Sequence, residues 1–206
     1  MVESRVLQND RFMRLALSLS LVAAAVMAAC ASKPSVAPAA APQPSASPEV
    51  KVTESYFSRT KSGVATLSPA AGGAVSGIVQ FSGGGTSVDV HVLATGLMPG
   101  SIHGFHVHAI GNCASADFMS AGDHFNPTHK PHGPQEAPHH AGDMPSLIAD
   151  PNGKIDARFT LEGVTLGGVD GFVGHAVILH AGADNFDAQP SGNSGARIAC
   201  GVIAAT

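Results

Sequence analysis

Hydrophobic and polar positions alternate with a short period over the second two-thirds of the chain. Val88, Val90 and Val92 fall on one face of an extended segment, and Asp89 and His91 fall on the other. That period of two is the pattern of a half-buried strand. Further short strand-like runs occupy residues 65–67, 75–81 and 157–161. Turn signals separate them: Gly72-Gly73, Gly83-Gly84-Gly85, Asp150-Pro151-Asn152-Gly153 and Gly167-Gly168. No stretch sustains a helical period. The pattern predicts an all-β sandwich or barrel of about 150 residues. Residues 113–151 break the rhythm with a run rich in Pro, Gly and His. A loop of that length usually serves function.

The chain before residue 52 reads differently. Residues 15–29 form an apolar run just after Arg14. The run is shorter than the roughly 20 residues that span a bilayer. A positive start, a short apolar stretch and small residues at its end describe a secretory signal. It closes on Met27-Ala28-Ala29-Cys30, which resembles the lipobox of bacterial lipoproteins, although Met27 stands where Leu is usual. In that family the Cys is lipidated and becomes the first residue of the mature chain. The resemblance implies a lipid anchor at Cys30; an ordinary signal peptide cleaved nearby is the alternative. Glu3 and Asp10 sit oddly in such a leader, and Met13 followed by Arg14 makes a cleaner start. Five prolines between residues 31 and 51 favour an extended tether without a core. The expected organisation is a lipoprotein-type signal peptide over residues 1–29, with the true start at Met13. A lipidated Cys and an Ala/Pro/Ser-rich tether follow over 30–52, and a folded domain over 53–206. The expected location is the periplasm or cell envelope, with the lipid in a membrane.

Composition narrows the chemistry. With 44% hydrophobic residues the chain can build a core. A net charge of -4 gives no basic footprint for nucleic acid. Three Cys are too few for a disulfide scaffold. The eleven His all lie between His91 and His180, and eight of them fall within residues 103–140. Such clustering favours metal over chance. His106-Val107-His108 sits in a strand-like run, where residues two apart project to one face and can share one metal. His124, His132, His140 and Asp143 follow, and His180 comes later. Imidazole suits copper and zinc, and the single carboxylate suits zinc.

These residues carry a resemblance. Gly104-Phe105-His106-Val107-His108, Gly122-Asp123-His124-Phe125-Asn126-Pro127, His132-Gly133-Pro134 and His140-Ala141-Gly142-Asp143 resemble the metal motifs of copper,zinc superoxide dismutases. The run from Gly195 through Arg197 and Cys200 to Ile203 is similar to that family's second signature. The likeness extends from about Val64 to the end. It implies a Greek-key β-sandwich or barrel of about eight antiparallel strands with long metal-binding loops. It implies one copper and one zinc ion per subunit. Copper would take His106, His108, His124 and His180, and zinc would take His124, His132, His140 and Asp143. His124 would bridge the two. Asp184 would orient one His of each metal, and Arg197 would attract an anion beside the copper. Cys113 and Cys200 would form an intrasubunit disulfide.

The implied activity is dismutation of superoxide anion to dioxygen and hydrogen peroxide. Copper would take an electron from one superoxide and pass it to a second, while His124 carries a proton. The rival reading is a non-catalytic envelope copper/zinc-binding protein on the same fold. His103, His129, His139, His91 and His175 read as structural or surface residues, and Phe105 and Phe125 as core anchors. Residues 180–195 contain Asp184 and Asp187 but no Lys, unlike the eukaryotic branch, which guides superoxide from there. Attraction must then come from Lys130 or Lys154, or be weaker. A homodimer is left open.

Overall fold

The computed structural model describes residues 60–206. The expected leader, Met13, Cys30, the tether and the first residues of the domain lie outside the described residues. Among the described residues, ten strands and one short 3-10 turn make up the regular structure. They are β1 (Ser62–Pro69), β2 (Ser76–Gly83), β3 (Ser87–Thr95), β4 (Ile102–His103), β5 (Phe105–His108), β6 (Leu147–Ile148), β7 (Ile155–Glu162), β8 (Ala176–His180), β9 (Arg197–Val202) and β10 (Ala204–Ala205). The 3-10 turn covers Met119–Ala121.

The protein is all-β. One curled antiparallel sheet runs in the order β5-β8-β9-β1-β2-β3-β7, with β10 on β1, and β4 pairs with β6 in a small ribbon. The meander β1-β2-β3 forms through near-neighbour hairpins, and β7 returns from far along the chain to pair with β3 over Ser87↔Glu162 to Ala94↔Ile155. The alternation of β3 holds along its length: Val88, Val90, Val92 and Ala94 are buried, and Asp89 and Leu93 are exposed. Each such buried Val contributes about 1.5–3 kcal/mol relative to exposure.

β8 does not alternate, because both of its faces are covered. Val177 and Leu179 enter the main core, and Ala176 and Ile178 pack in a second cluster with Phe118, Ala121 and Cys200. The second cluster is where the long loop, residues 109–146, lies over the outer face of the sheet. The Cys113–Cys200 disulfide fastens that loop to β9, with Cα atoms 5.8 Å apart. Three phenylalanine rings tie the loop to the main core. Phe81 and Phe125 each meet Phe172 edge to face, with centroids 6.3 and 6.1 Å away. Such contacts add about 0.5–1.5 kcal/mol each beyond area burial. Phe105 and Phe125 are both core residues.

Candidate metal centre

β5 sets the first two donors. Phe105 and Val107 point into the core, so His106 and His108 point outward. They are nonetheless fully buried, because the loop returns along the free edge of β5. Ala109 N–H donates to Asp123 O, Phe125 N–H to Val107 O, and Val107 N–H to Gly142 O, each at 2.8 Å. These bonds set His124 opposite His108 and Asp143 opposite His106 in β-like bridges. Gly142 is required there, since a Cβ would run into the Val107 carbonyl. The edge of β5 is thereby protected, and two distant motifs are placed beside His106 and His108.

β8 and β9 supply the remainder. A register shift between Leu179 and His180 sets His180 opposite Arg197. The structure thus brings His106, His108, His124 and His180 into one group of buried donor atoms, and His124, His132, His140 and Asp143 into a second. His124 is the ring the two groups share. A third set, His106, His132 and Asp184, connects them from behind.

Hydrogen bonds fix which ring nitrogen is available. His108 donates from Nδ1 to Gly122 O at 2.8 Å, and His180 from Nδ1 to Gly195 O at 3.2 Å. A carbonyl can only accept, so the Nε2 lone pairs of both rings are free. Those two Nε2 atoms lie 3.4 Å apart. His106 donates from Nε2 to Asp184 Oδ2 at 2.7 Å, leaving its buried Nδ1 without a partner. Asp143 is divided in function. Its Oδ2 accepts the backbone N–H of Gly133 and His140, and its Oδ1 lies 2.8, 3.0 and 3.2 Å from Nδ1 of His124, His132 and His140. His132 Nε2 is 3.2 Å from Asp184 Oδ1. Both His132 nitrogens lie within ion-pair distance of carboxylates, yet neither is aligned for a hydrogen bond.

That geometry tests the fit of a metal. A tetrahedral zinc with ligands at about 2.0–2.1 Å spaces them about 3.3–3.4 Å apart. His124 Nδ1 and His140 Nδ1 are 3.3 Å apart, and the Asp143 contacts are slightly shorter. Unpartnered buried nitrogens such as His106 Nδ1 are costly unless a cation receives them. The three histidines and one carboxylate are a zinc donor set, and four imidazoles suit copper.

The electrostatics divide the two groups. Burial pushes His108 down to about 2, His180 to about 3 and His124 to about 4, so these rings are neutral. Burial would lower His132 as well, but Asp143 and Asp184 raise it to about 9. Burial would raise the Asp143 and Asp184 carboxyls, but their imidazole partners hold both well below the usual carboxylate range.

Arg197 is half-buried at the mouth of the first group and donates to Phe118 O and Gly122 O, each at 2.8 Å. Gly122 O therefore joins Arg197 to His108. The cleft above them, about 370 Å³, is also lined by His124 and His180. Lys130 and Lys154 do not line it. Among the other histidines, His103 is a buried loop tie between Ser101 Oγ and His180 O, at 2.6 and 2.7 Å. His91 meets Asp156, His175 stacks on Phe125, His129 is exposed and His139 bonds its own turn.

Several supports carried no recognised signal in the sequence. Gln189 clamps the His132 backbone from both sides, accepting its N–H at 2.9 Å and donating to its carbonyl at 2.7 Å. Ser194 donates to Asp184 Oδ1 at 2.8 Å. Gly192, with a φ of 76°, passes so close to Asp184 and His132 that any Cβ would overlap them.

The fold and donor groups define an all-β protein with two adjoining candidate metal sites that share one imidazole. The sequence model described as copper/zinc superoxide dismutase (SODC) matches residues 75–203. The chain belongs to the copper/zinc superoxide dismutase family. It is 39% identical over 149 residues to "Superoxide dismutase [Cu-Zn] 2" of Brassica juncea, a match covering 68% of this chain and 95% of that protein. It is 42% identical over 123 residues to "Superoxide dismutase-like protein YojM" of Bacillus subtilis (strain 168), covering 56% of this chain. That match spans 62% of the Bacillus protein's length. A crystal structure of the clock protein EA4 aligns with a TM-score of 0.65 at 33% identity, covering 71% of this chain and 96% of the other.

Proposed function

We infer that this protein is a superoxide dismutase of the bacterial cell envelope, anchored by lipid at Cys30. The observation that carries the activity is the single ring, His124, shared by two complete buried donor groups, with Arg197 at the open side of one. One copper would be held by His106, His108, His124 and His180, and one zinc by His124, His132, His140 and Asp143. Copper supplies a reversible one-electron couple when bound, and zinc a redox-silent cation.

The protein's part is positional. Arg197 attracts the superoxide anion and hydrogen-bonds it beside the first group. His124 Nδ1 lies 2.8 Å from Asp143 Oδ1 in the second group, which leaves Nε2 as the ring atom that would take up and release a proton. Asp184 holds His106 and His132 in fixed orientations. Burial shields the donors from water, and the cleft beside Arg197 gives an approach to the first group.

The lipobox-like sequence ending at Cys30 supports the location, and an oxidising compartment suits the disulfide. Incorporation of labelled fatty acid, lost in Cys30→Ala, would support the anchor; unlabelled wild-type protein would overturn it. For the activity, metal-free protein reloaded with copper and zinc should remove superoxide, and a copper chelator should abolish that. Full metal uptake without dismutation would favour a copper/zinc-binding protein instead.

A further inference from the structure

The cleft over His108, His124 and His180 carries two formal charges among its described lining residues, the cation Arg197 and the carboxylate Asp123. Arg197 is held by two carbonyls, so its charge stays in place. Asp123 is exposed and lines the same cleft, one residue after the Gly122 carbonyl that Arg197 binds. Its own carbonyl is bound by Ala109 N–H at 2.8 Å, and the next residue, His124, is bridged to His108. The Asp123 backbone is therefore fixed at the rim of the cleft. Of the two carboxylates that act on Arg197, Asp123 has the larger effect, ahead of Asp117. Serine, asparagine and glycine from residues 191–195 complete the wall without adding charge.

We propose that Asp123 is a specificity-determining residue of this cleft, whose fixed negative charge offsets Arg197 and keeps the site from retaining anions. Arg197 alone would attract every small anion, including those that compete with a substrate. With Asp123 in the same cleft, the two formal charges of its lining offset each other. A monovalent anion then gains only what it makes by direct contact with Arg197 and the metal. A divalent anion meets the Asp123 charge with twice the repulsion. The residue thus trades attraction for freedom from competing anions, and it makes capture nearly independent of ionic strength.

This inference rests on the copper-bearing reading of the first donor group, and its test does not need turnover. Azide is titrated into copper- and zinc-loaded protein and followed by the visible absorption of copper, at low and at physiological salt. Metal content is measured in parallel. Asp123→Asn should bind azide about three- to tenfold more tightly at low salt, the effect of one unit charge across a water-lined cleft. The gain should shrink at physiological salt. Inorganic phosphate should gain more than azide. Asp123→Glu should behave as wild type. Unchanged azide affinity in fully loaded Asp123→Asn would overturn the proposal, as would an Asp123→Glu protein that behaves like the Asn variant. Should the Asn variant load poorly, Asp123→Ser is judged by the same criterion. Failure of both to hold metal would make Asp123 a structural residue and overturn the proposal. Altered azide affinity in a protein that removes no superoxide would leave this inference standing and overturn the activity.

Discussion

The Cys113–Cys200 bond closes a span of 87 residues and pins the metal loop to β9. In the chain-entropy treatment, a loop of that length restricts the unfolded chain by about 4.6 kcal/mol. Replacing both cysteines by Ala removes that restriction. For a domain of about 150 residues, each kcal/mol shifts Tm by roughly 2–4 °C. The metal-free Cys113→Ala/Cys200→Ala protein should therefore melt roughly 9–18 °C below the metal-free disulfide form. A second consequence follows from the loop's contents. Phe118 O and Gly122 O hold Arg197, and Gly122 O also holds His108. Loosening the loop should weaken copper retention along with stability. Differential scanning calorimetry on chelator-treated proteins reads the first effect, and competition with a copper chelator reads the second. A Tm change below about 4 °C would refute the loop-closure argument. Unchanged copper retention would refute the claim that the bond positions His108.

Gly192→Ala should weaken zinc binding about 10- to 100-fold, because its Cβ displaces Asp184 from His132; chelator competition checks this, and wild-type affinity would contradict it. Arg197→Ala should lower the dismutation rate about tenfold, or 1.4 kcal/mol, with metal content unchanged; metal analysis beside a rate assay separates the two. Zinc and copper uptake should differ in pH dependence between pH 6 and 8. His132 is raised to about 9 and carries a proton that zinc must displace, whereas His108 and His180 are already neutral. Zinc affinity should therefore rise by up to tenfold per pH unit while copper affinity stays flat, and titrations at three pH values should show this; parallel slopes would contradict it. In the metal-free protein the His132 contribution to stability is complete below pH 6.5 and is lost as pH rises towards 9. The lowered histidines act in the opposite sense. Below pH 6.5 the unfolded chain binds protons that His124, His180 and His108 refuse, so stability falls as pH drops.

Alternation made β3 legible, since only one of its faces is buried. β8 offers no alternation, because loop residues Phe118 and Ala121 cover its outer face. Its strand character is set by tertiary packing rather than by local pattern. The ribbon of β4 and β6, two residues each, is too short to leave any period. At the centre, donors were legible because chemistry restricts them to a few residue types, and His106-Val107-His108 carries strand spacing. Their supports were not. The carbonyls of Gly122 and Gly195 belong to the backbone and have no residue signature. Gly192, Ser194 and Gln189 act through close approach and register, which only the folded loop creates. Asp123 stood in the sequence only as the neighbour of His124, and its charge gains a counterpart once the fold brings Arg197, distant in sequence, to the same cleft.

The central claim is that the group containing His106, His108, His124 and His180 is a copper site that turns over superoxide. The most direct measurement titrates copper into zinc-loaded protein and follows superoxide decay by stopped flow at each increment. The account predicts a rate that rises linearly with copper, saturates at one copper per chain, and is lost in His124→Ala. A fully copper-loaded protein that leaves superoxide decay at its spontaneous rate would contradict it.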